Sequence, residues 1–278
     1  MENINKNYIE TCHKRMLELL KFVHKLCIDN NIKYTLEAGT LLGAMREKGF
    51  ISWDDDCDIS LVREEYDKLK EVLRKGPLPD YVGVYFPEDQ KNFLDYNLRL
   101  FNKSEIIRFD KESVEQYGGV FSYATLDIYV MDHMPKNAIK RRFFVLWQQI
   151  MFGLAMSKRI EIKIGKYKSI ERIAISILSK IGKVFSMKTI CEMHDKVSKK
   201  YLHPTLFVKN PECLYCTGWI PEYPGWVFEK ESYEKVHLSD FEDTKLYVID
   251  DYERILDGYG DWRTPKKTHD HINMIVDL

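Results

Sequence analysis

Across its 278 residues the chain has no apolar run of the roughly 18 residues that a membrane-crossing helix needs. The opening, Met1-Glu2-Asn3-Ile4-Asn5-Lys6, is polar and leads into an amphipathic helix. No secretory leader is expected there, and the chain reads as cytoplasmic unless a partner carries it elsewhere. Cysteine is scarce: Cys12, Cys27, Cys57, Cys191, Cys213 and Cys216 are scattered along the chain, which argues against a disulfide scaffold. Internal repeats and low-complexity stretches are missing, which removes solenoids and linker-like tracts. Aromatics, by contrast, are plentiful. With 17 Tyr and 14 Phe the chain has what a packed core requires, so disorder is excluded. An apolar share of 45% and a charged share of 31% fit a globular protein of one large or two modest domains.

The net charge of −1 conceals a segregation. Residues 136–200 hold sixteen Lys or Arg against four Asp or Glu, a net of +12, which leaves −13 for the rest. Such asymmetry predicts a face that meets a polyanion or an anionic membrane. Nucleic acid is not the expected partner, because the basic stretch carries no recognisable reading motif.

The acid-rich end of this division is concentrated between Leu36 and Val62. Gly39-Thr40 stands at a strand-to-helix turn, a short amphipathic segment ends at Arg46, and Asp54, Asp55, Asp56 and Asp58 follow just before an apolar strand. Burying an unpaired carboxylate is costly, so acids beside an apolar strand make sense if they hold a cation. Mg²⁺ takes one or two carboxylates together with substrate phosphates. Asp56 and Asp58, two apart on a strand, share a face, while Cys57 and Ile59 turn to the core. Gly39 permits close backbone approach, helix N-terminal amides can hold phosphate, and Arg46 is placed to reach a phosphate oxygen. A pair of acids two apart is, by itself, more often a solvated loop; here the Gly-Thr turn and the strand context favour a site. A calcium loop of the EF-hand type is excluded, since no glycine or glutamate follows at the required spacing.

Three blocks carry a family resemblance. Gly39-Thr40-Leu41-Leu42-Gly43-Ala44-Met45-Arg46, followed by Ile51-Ser52-Trp53-Asp54-Asp55-Asp56-Cys57-Asp58-Ile59, closely resembles the LicD family, phosphotransferases of nucleotidyltransferase-like fold related to the fukutin-type enzymes. Leu126-Asp127-Ile128-Tyr129-Val130-Met131-Asp132-His133-Met134-Pro135 resembles the strand that brings a third acid. Tyr259-Gly260-Asp261-Trp262-Arg263-Thr264-Pro265 is the third match. The resemblance implies transfer of phosphocholine from CDP-choline, or of another CDP-alcohol's phospho-alcohol group, to a hydroxyl of a cell-surface or lipid-linked glycan such as a teichoic acid or lipopolysaccharide. It further implies Mg²⁺, with Mn²⁺ as the alternative ion, on Asp56, Asp58 and Asp127, which are the catalytic acids. Gly39, Thr40, Arg46 and Asp55 are then the substrate-binding residues. The chain departs from the family pattern at Met45, where valine is common, and at Glu37, where a small residue is common and a negative charge is added near the donor.

The periodicity predicts helices over 8–29, 40–48, 63–75, 138–157, 169–185 and 187–201, with a short one at 250–256 capped by Asp250 or Asp251. Strands are expected at 33–38, 57–62, 82–86, 96–101, 105–109, 125–131 and 245–249, and a turn at 222–226. The fold class is α/β (α+β): a nucleotidyltransferase-like mixed sheet with flanking helices over 1–135, a basic helical segment over 136–200, and a C-terminal α+β region over 201–278 that completes the pocket. The aromatic helix containing Phe143, Phe144, Trp147, Met151 and Phe152 reads as a core stripe, or as an interfacial helix touching the inner face of the membrane. Cys191, His194, Cys213 and Cys216 form a possible zinc quartet, though buried cysteines and a surface histidine explain them more simply. His269 and His271 read as surface residues. Two other functions stay open: a nucleotidyltransferase that releases pyrophosphate from an NTP, and a non-catalytic adaptor at a membrane or glycan surface.

Overall fold

A computed structural model of the chain describes residues 2–108, 114–115, 117–135, 137–159, 162, 165, 169–202, 213–216 and 227–266. The turn expected at 222–226 and the pair His269 and His271 lie outside them, as do the side chains of Cys213 and Cys216.

Helix α1 (Glu2–Asp29) starts earlier than its periodicity suggests. Its Met16, Leu19, Leu20, Val23 and Cys27 are buried on one side, the stripe that a 3.6-residue repeat produces. Strand β1 (Thr35–Leu36) is shorter than expected because the chain turns at once into helix α2 (Ala38–Arg46). Strand β2 (Asp58–Val62), helix α3 (Arg63–Lys75), and strands β3 (Val82–Tyr85) and β4 (Leu98–Asn102) follow. Strand β5 (Thr125–Met134) is the longest and forms the spine of the sheet.

The sheet runs β1-β2-β5-β4-β3, with β2 and β5 parallel and the other pairs antiparallel. The far half of β5 pairs with β6 (Cys213–Cys216), which pairs with β7 (Val227–Glu229), so the C-terminal region adds two strands to the same sheet. Residues 105–108, part of an expected strand, are not one: β4 already has β3 and β5 on its two sides, and the backbone N–H groups of Ile107 and Arg108 both donate to the Ser122 carbonyl. The hairpin β8 (Val236–Phe241) and β9 (Thr244–Ile249) was expected only in its second strand. It docks on β1 through Ile249 N–H, which donates to Thr35 Oγ1 at 2.9 Å.

Helices α4 (Ala138–Ala155), α5 (Ser169–Gly182) and α6 (Met187–Ser198) pack around Phe152, Ala155, Ile175, Met187, Ile190 and Cys191, together with Phe93 and Tyr96. This small core is separate from the main one, in which Ile59, Leu61, Leu98, Leu100, Leu126 and Ile128 meet α1 and α3. The two are joined by Arg63. It grips Asp132 with two donors, at 2.6 and 2.8 Å, and reaches Asp195 of α6 at 2.9 Å. Helix α7 (Tyr252–Leu256) begins after Asp251, whose carboxylate accepts from Ser232 Oγ and does not cap the helix. Among the described residues, no helix is long and apolar enough to cross a membrane.

Candidate active site

The turn from β1 into α2 holds the backbone of Asp58 from both sides. Glu37 N–H donates to the Asp58 carbonyl at 3.1 Å, and Asp58 N–H donates to Thr40 Oγ1 at 2.9 Å. Ala38, at the bend, has φ +49, a left-handed value that a residue with a Cβ adopts at a cost. Thr40 is buried with its hydroxyl turned to the strand. It therefore positions Asp58.

Asp58 and Asp127 are register partners on the parallel strands β2 and β5. Neighbours in register project to the same face of a sheet, so the two carboxylates stand side by side. Asp127 N–H donates to the Cys57 carbonyl at 2.9 Å, which locks this register at the strand ends. Cys57 and Ile59 are fully buried on the opposite side, as their alternation requires. Asp56 precedes the strand and is exposed. Asp54 is buried, and its carboxylate lies against Gly39: a Cβ built there would stand 2.4 Å from Asp54 Oδ2. The space left by glycine is thus filled by a carboxylate at the start of α2. Asp55 turns toward α1, accepting from Tyr8 OH at 3.2 Å, while His13 Nε2 donates to the Asp54 carbonyl at 2.7 Å.

The crowding is electrostatic as well as steric. Burial, then the charges of Asp56, Asp127 and Asp54, push Asp58 well above the usual carboxylate range. Burial and Asp56 push Asp54 up to about 8. Asp127 is raised to about 6, burial outweighing the relief that Arg99 gives it. Arg99, the register partner of Asp127 on β4, is itself buried. Its two terminal nitrogens donate to Asp95 at 2.9 and 2.6 Å. Its Nε lies 2.8 Å from Asp127 Oδ1, with the N–H not aimed along that line, so this contact is an ion pair and not an aligned hydrogen bond.

Four carboxylates with one guanidinium form a hard-oxygen donor set with excess negative charge, and a divalent cation suits it. Among the described residues, no group of three or more His, Cys, Asp or Glu side chains is arranged to hold a metal ion.

Arg46 ends α2, roughly 10 Å along the helix from Gly39 at 1.5 Å per residue. There it donates to Glu47 at 2.7 Å and to the Trp262 carbonyl at 3.1 Å, joining the first and third resemblance blocks. Glu37 adds its charge to those that raise Asp58. It is fully buried, burial raises its pKa, and its Oε2 accepts from Ser60 Oγ at 2.6 Å and Tyr233 OH at 3.0 Å. Cys191 is buried in the helical core, and His194 stacks on Tyr96 with ring centroids 3.6 Å apart. His194 is thus buried and not the surface histidine expected, because its ring fills the space over Tyr96.

Sequence reasoning passed over Arg99, Asp95 and Tyr8. Arg99 had a signal: it is the lone charge between Leu98 and Leu100 in an alternating strand, and a buried arginine demands an acid opposite.

The site sits on a mixed α+β sheet, where a turn clasps an aspartate at one strand's start beside an in-register acid on its parallel neighbour. Residues 31–152 match the family model described as the LicD/FKTN/FKRP nucleotidyltransferase domain, a span that contains every site residue above from Glu37 to Asp127. The chain is 26% identical over 255 residues, 88% of each chain, to the lipopolysaccharide cholinephosphotransferase LicD of Haemophilus influenzae. Shorter similarities join it to uncharacterized proteins of Rickettsia prowazekii (47% over 70 residues, 25% of this chain and 26% of that one) and Rickettsia typhi (45% over 58 residues, 21% and 19%). The core of the chain is thus similar to the LicD/FKTN/FKRP domain, and most of its length, at lower identity, to a LicD protein.

Proposed function

We propose that the chain is a LicD-type phosphotransferase that moves a phospho-alcohol group, phosphocholine from CDP-choline before any other, onto a hydroxyl of a lipopolysaccharide-type surface glycan, releasing CMP. The in-register pair Asp58 and Asp127 is the observation that carries the reading. The whole-length similarity to a lipopolysaccharide cholinephosphotransferase supports the choice of group and acceptor.

In this reading the acceptor oxygen attacks the choline-bearing phosphorus, the bond to the bridging oxygen breaks, and CMP leaves with that oxygen. Asp56 and Asp58, with Asp127, would hold Mg²⁺, which when bound neutralises the diphosphate and the charge growing on CMP. Asp127 is also a candidate to receive the acceptor's proton, but a bound cation lowers the pKa of a carboxylate beside it, so holding the ion is its first role. Arg99 likewise lowers the pKa of Asp127. Thr40 and the Glu37 backbone hold Asp58 still, so that positioning and fixed charge supply the acceleration.

The test is to incubate the chain with Mg²⁺ and a panel of CDP-alcohols, with and without lipopolysaccharide-type glycans, and to measure CMP. CMP release that depends on glycan and Mg²⁺ is expected, with CDP-choline preferred. Asp58→Asn should lower the rate by roughly 100-fold or more while the far-UV spectrum is unchanged. Pyrophosphate released from an NTP, with no CMP from any CDP-alcohol, would replace this reading with nucleotidyl transfer. Inertness toward every donor, with glycan or vesicle binding intact, would make the chain an adaptor.

A further inference from the structure

Helices α4 and α5 each have two apolar sides, and only one of each is used inside the molecule. The inner contact is close: a Cβ on Gly153 would meet Leu178 Cδ1 at 2.5 Å, and one on Gly182 would meet the Leu154 carbonyl oxygen at 2.1 Å. Phe144, Met151, Phe152 and Ile175 are buried on this side. On the other side, α4 exposes Ile139, Phe143, Leu146 and Trp147, spaced so that they form one row. Ile170, Ile173, Ile177, Ile181 and Val184 repeat the pattern along α5 and just past its end, with Ile170 82% and Val184 83% exposed. A helix apolar all round is normally buried. Two neighbouring rows of large apolar side chains go beyond the single exposed residues normal on a protein surface.

Charge identifies what covers them. Helix α4 has Lys140, Arg141 and Arg142 and no acid. Arg172, Lys180 and Lys183 are exposed along α5, against one acid, Glu171. The whole stretch 136–200 carries a net +12. An apolar row with tryptophan and phenylalanine, flanked by bases and free of charge along its own line, is the chemistry of a helix lying in the headgroup layer.

We propose that the outer faces of α4 and α5 seat the protein on an anionic lipid bilayer. The apolar rows enter the upper acyl region and the lysines and arginines meet lipid phosphates. This goes beyond the proposed reaction and does not depend on it: a surface-bound enzyme would meet lipid-linked acceptors in two dimensions, but binding is measured without any donor.

The test is flotation of the full chain with vesicles of phosphatidylcholine alone and of phosphatidylcholine with 30% phosphatidylglycerol. Binding to the anionic vesicles, weakened at least tenfold by 0.5 M salt, is expected. Lipids brominated on the acyl chain should quench part of the tryptophan emission, and Trp147→Phe should remove that part. Phe143→Ser with Ile173→Ser and Ile177→Ser should lower vesicle binding tenfold or more with an unchanged melting temperature, since these side chains are exposed. The proposal is overturned if the chain does not float with anionic vesicles, or if the triple variant floats as well as the parent. It is equally overturned if the parent sediments as a dimer that the triple variant dissociates while neither binds lipid, because the rows would then join two copies.

Discussion

Gly39 shows how much a single residue decides in this site. Its missing side chain leaves the place that the Asp54 carboxylate takes. Gly39→Ala should expel that carboxylate and reduce transfer at least tenfold, while overpacking costs the fold only about 1–3 kcal/mol. Steady-state rates beside denaturation curves will separate the two effects. The carboxylates themselves give a pH signature. Asp127 and Asp54 hold their protons more tightly folded, to about 6 and about 8, than an unfolded aspartate does at about 4. Between pH 4 and 8 the folded state therefore binds more protons than the unfolded one, and stability must fall as pH rises through that window. Melting temperatures in EDTA should drop from pH 5 to 8.5, and millimolar Mg²⁺ should recover most of the loss at the alkaline end. A flat profile in EDTA would contradict the crowding of these acids.

At the scale of elements, the site is made by three strands brought into register. β2 gives Asp58, β5 gives Asp127 and β4 gives Arg99, with Asp95 before it anchoring the guanidinium. The consequence is a division of labour in which Arg99 tunes Asp127 without a place in the predicted cation shell. Arg99→Lys keeps the charge but loses the planar fork that spans Asp95 and Asp127. The acid limb of the pH–rate profile should move to higher pH, because Asp127 loses part of what lowers it. Helix α2 and strand β2 were legible from the chain, since a Gly-Thr turn, an amphipathic run and an alternating strand leave local marks. The β8 strand was not: its residues are exposed or half-exposed without regular alternation, with only Phe241 buried, so its pattern lacks a hydrophobic face. Over its described part, 105–108, the expected strand at 105–109 failed for the converse reason, an apolar pair without a free sheet edge to join.

Across the molecule, Arg63 ties the sheet to the basic helices. Asp132 has no exposed surface, and its carboxylate is held by two Arg63 donors. Arg63→Met takes both of those donors from a buried charge, which should cost on the order of 3–5 kcal/mol, and adding Asp132→Leu should restore most of it. Urea unfolding of the single and double variants checks this. The same connection places the outer faces of α4 and α5 on a body that carries the acid site, so the proposed membrane seat and the proposed transfer centre belong to one folded unit.

The family resemblance supplied Asp127 as the third acid; by itself the sequence determined the acid strand, the turn ahead of it and the polarity of the two halves. Those rest on spacing between near neighbours in the chain and on composition, which need no knowledge of the fold. Only the tertiary structure decided that Thr40 grips a backbone, that Glu37 is sealed behind Tyr233, that Arg46 faces Trp262 and that Arg99 answers Asp127. Each of those is a contact between residues distant in sequence or across a turn, and its burial sets the charge state. Burial is a property of the whole packing, so no local pattern encodes it.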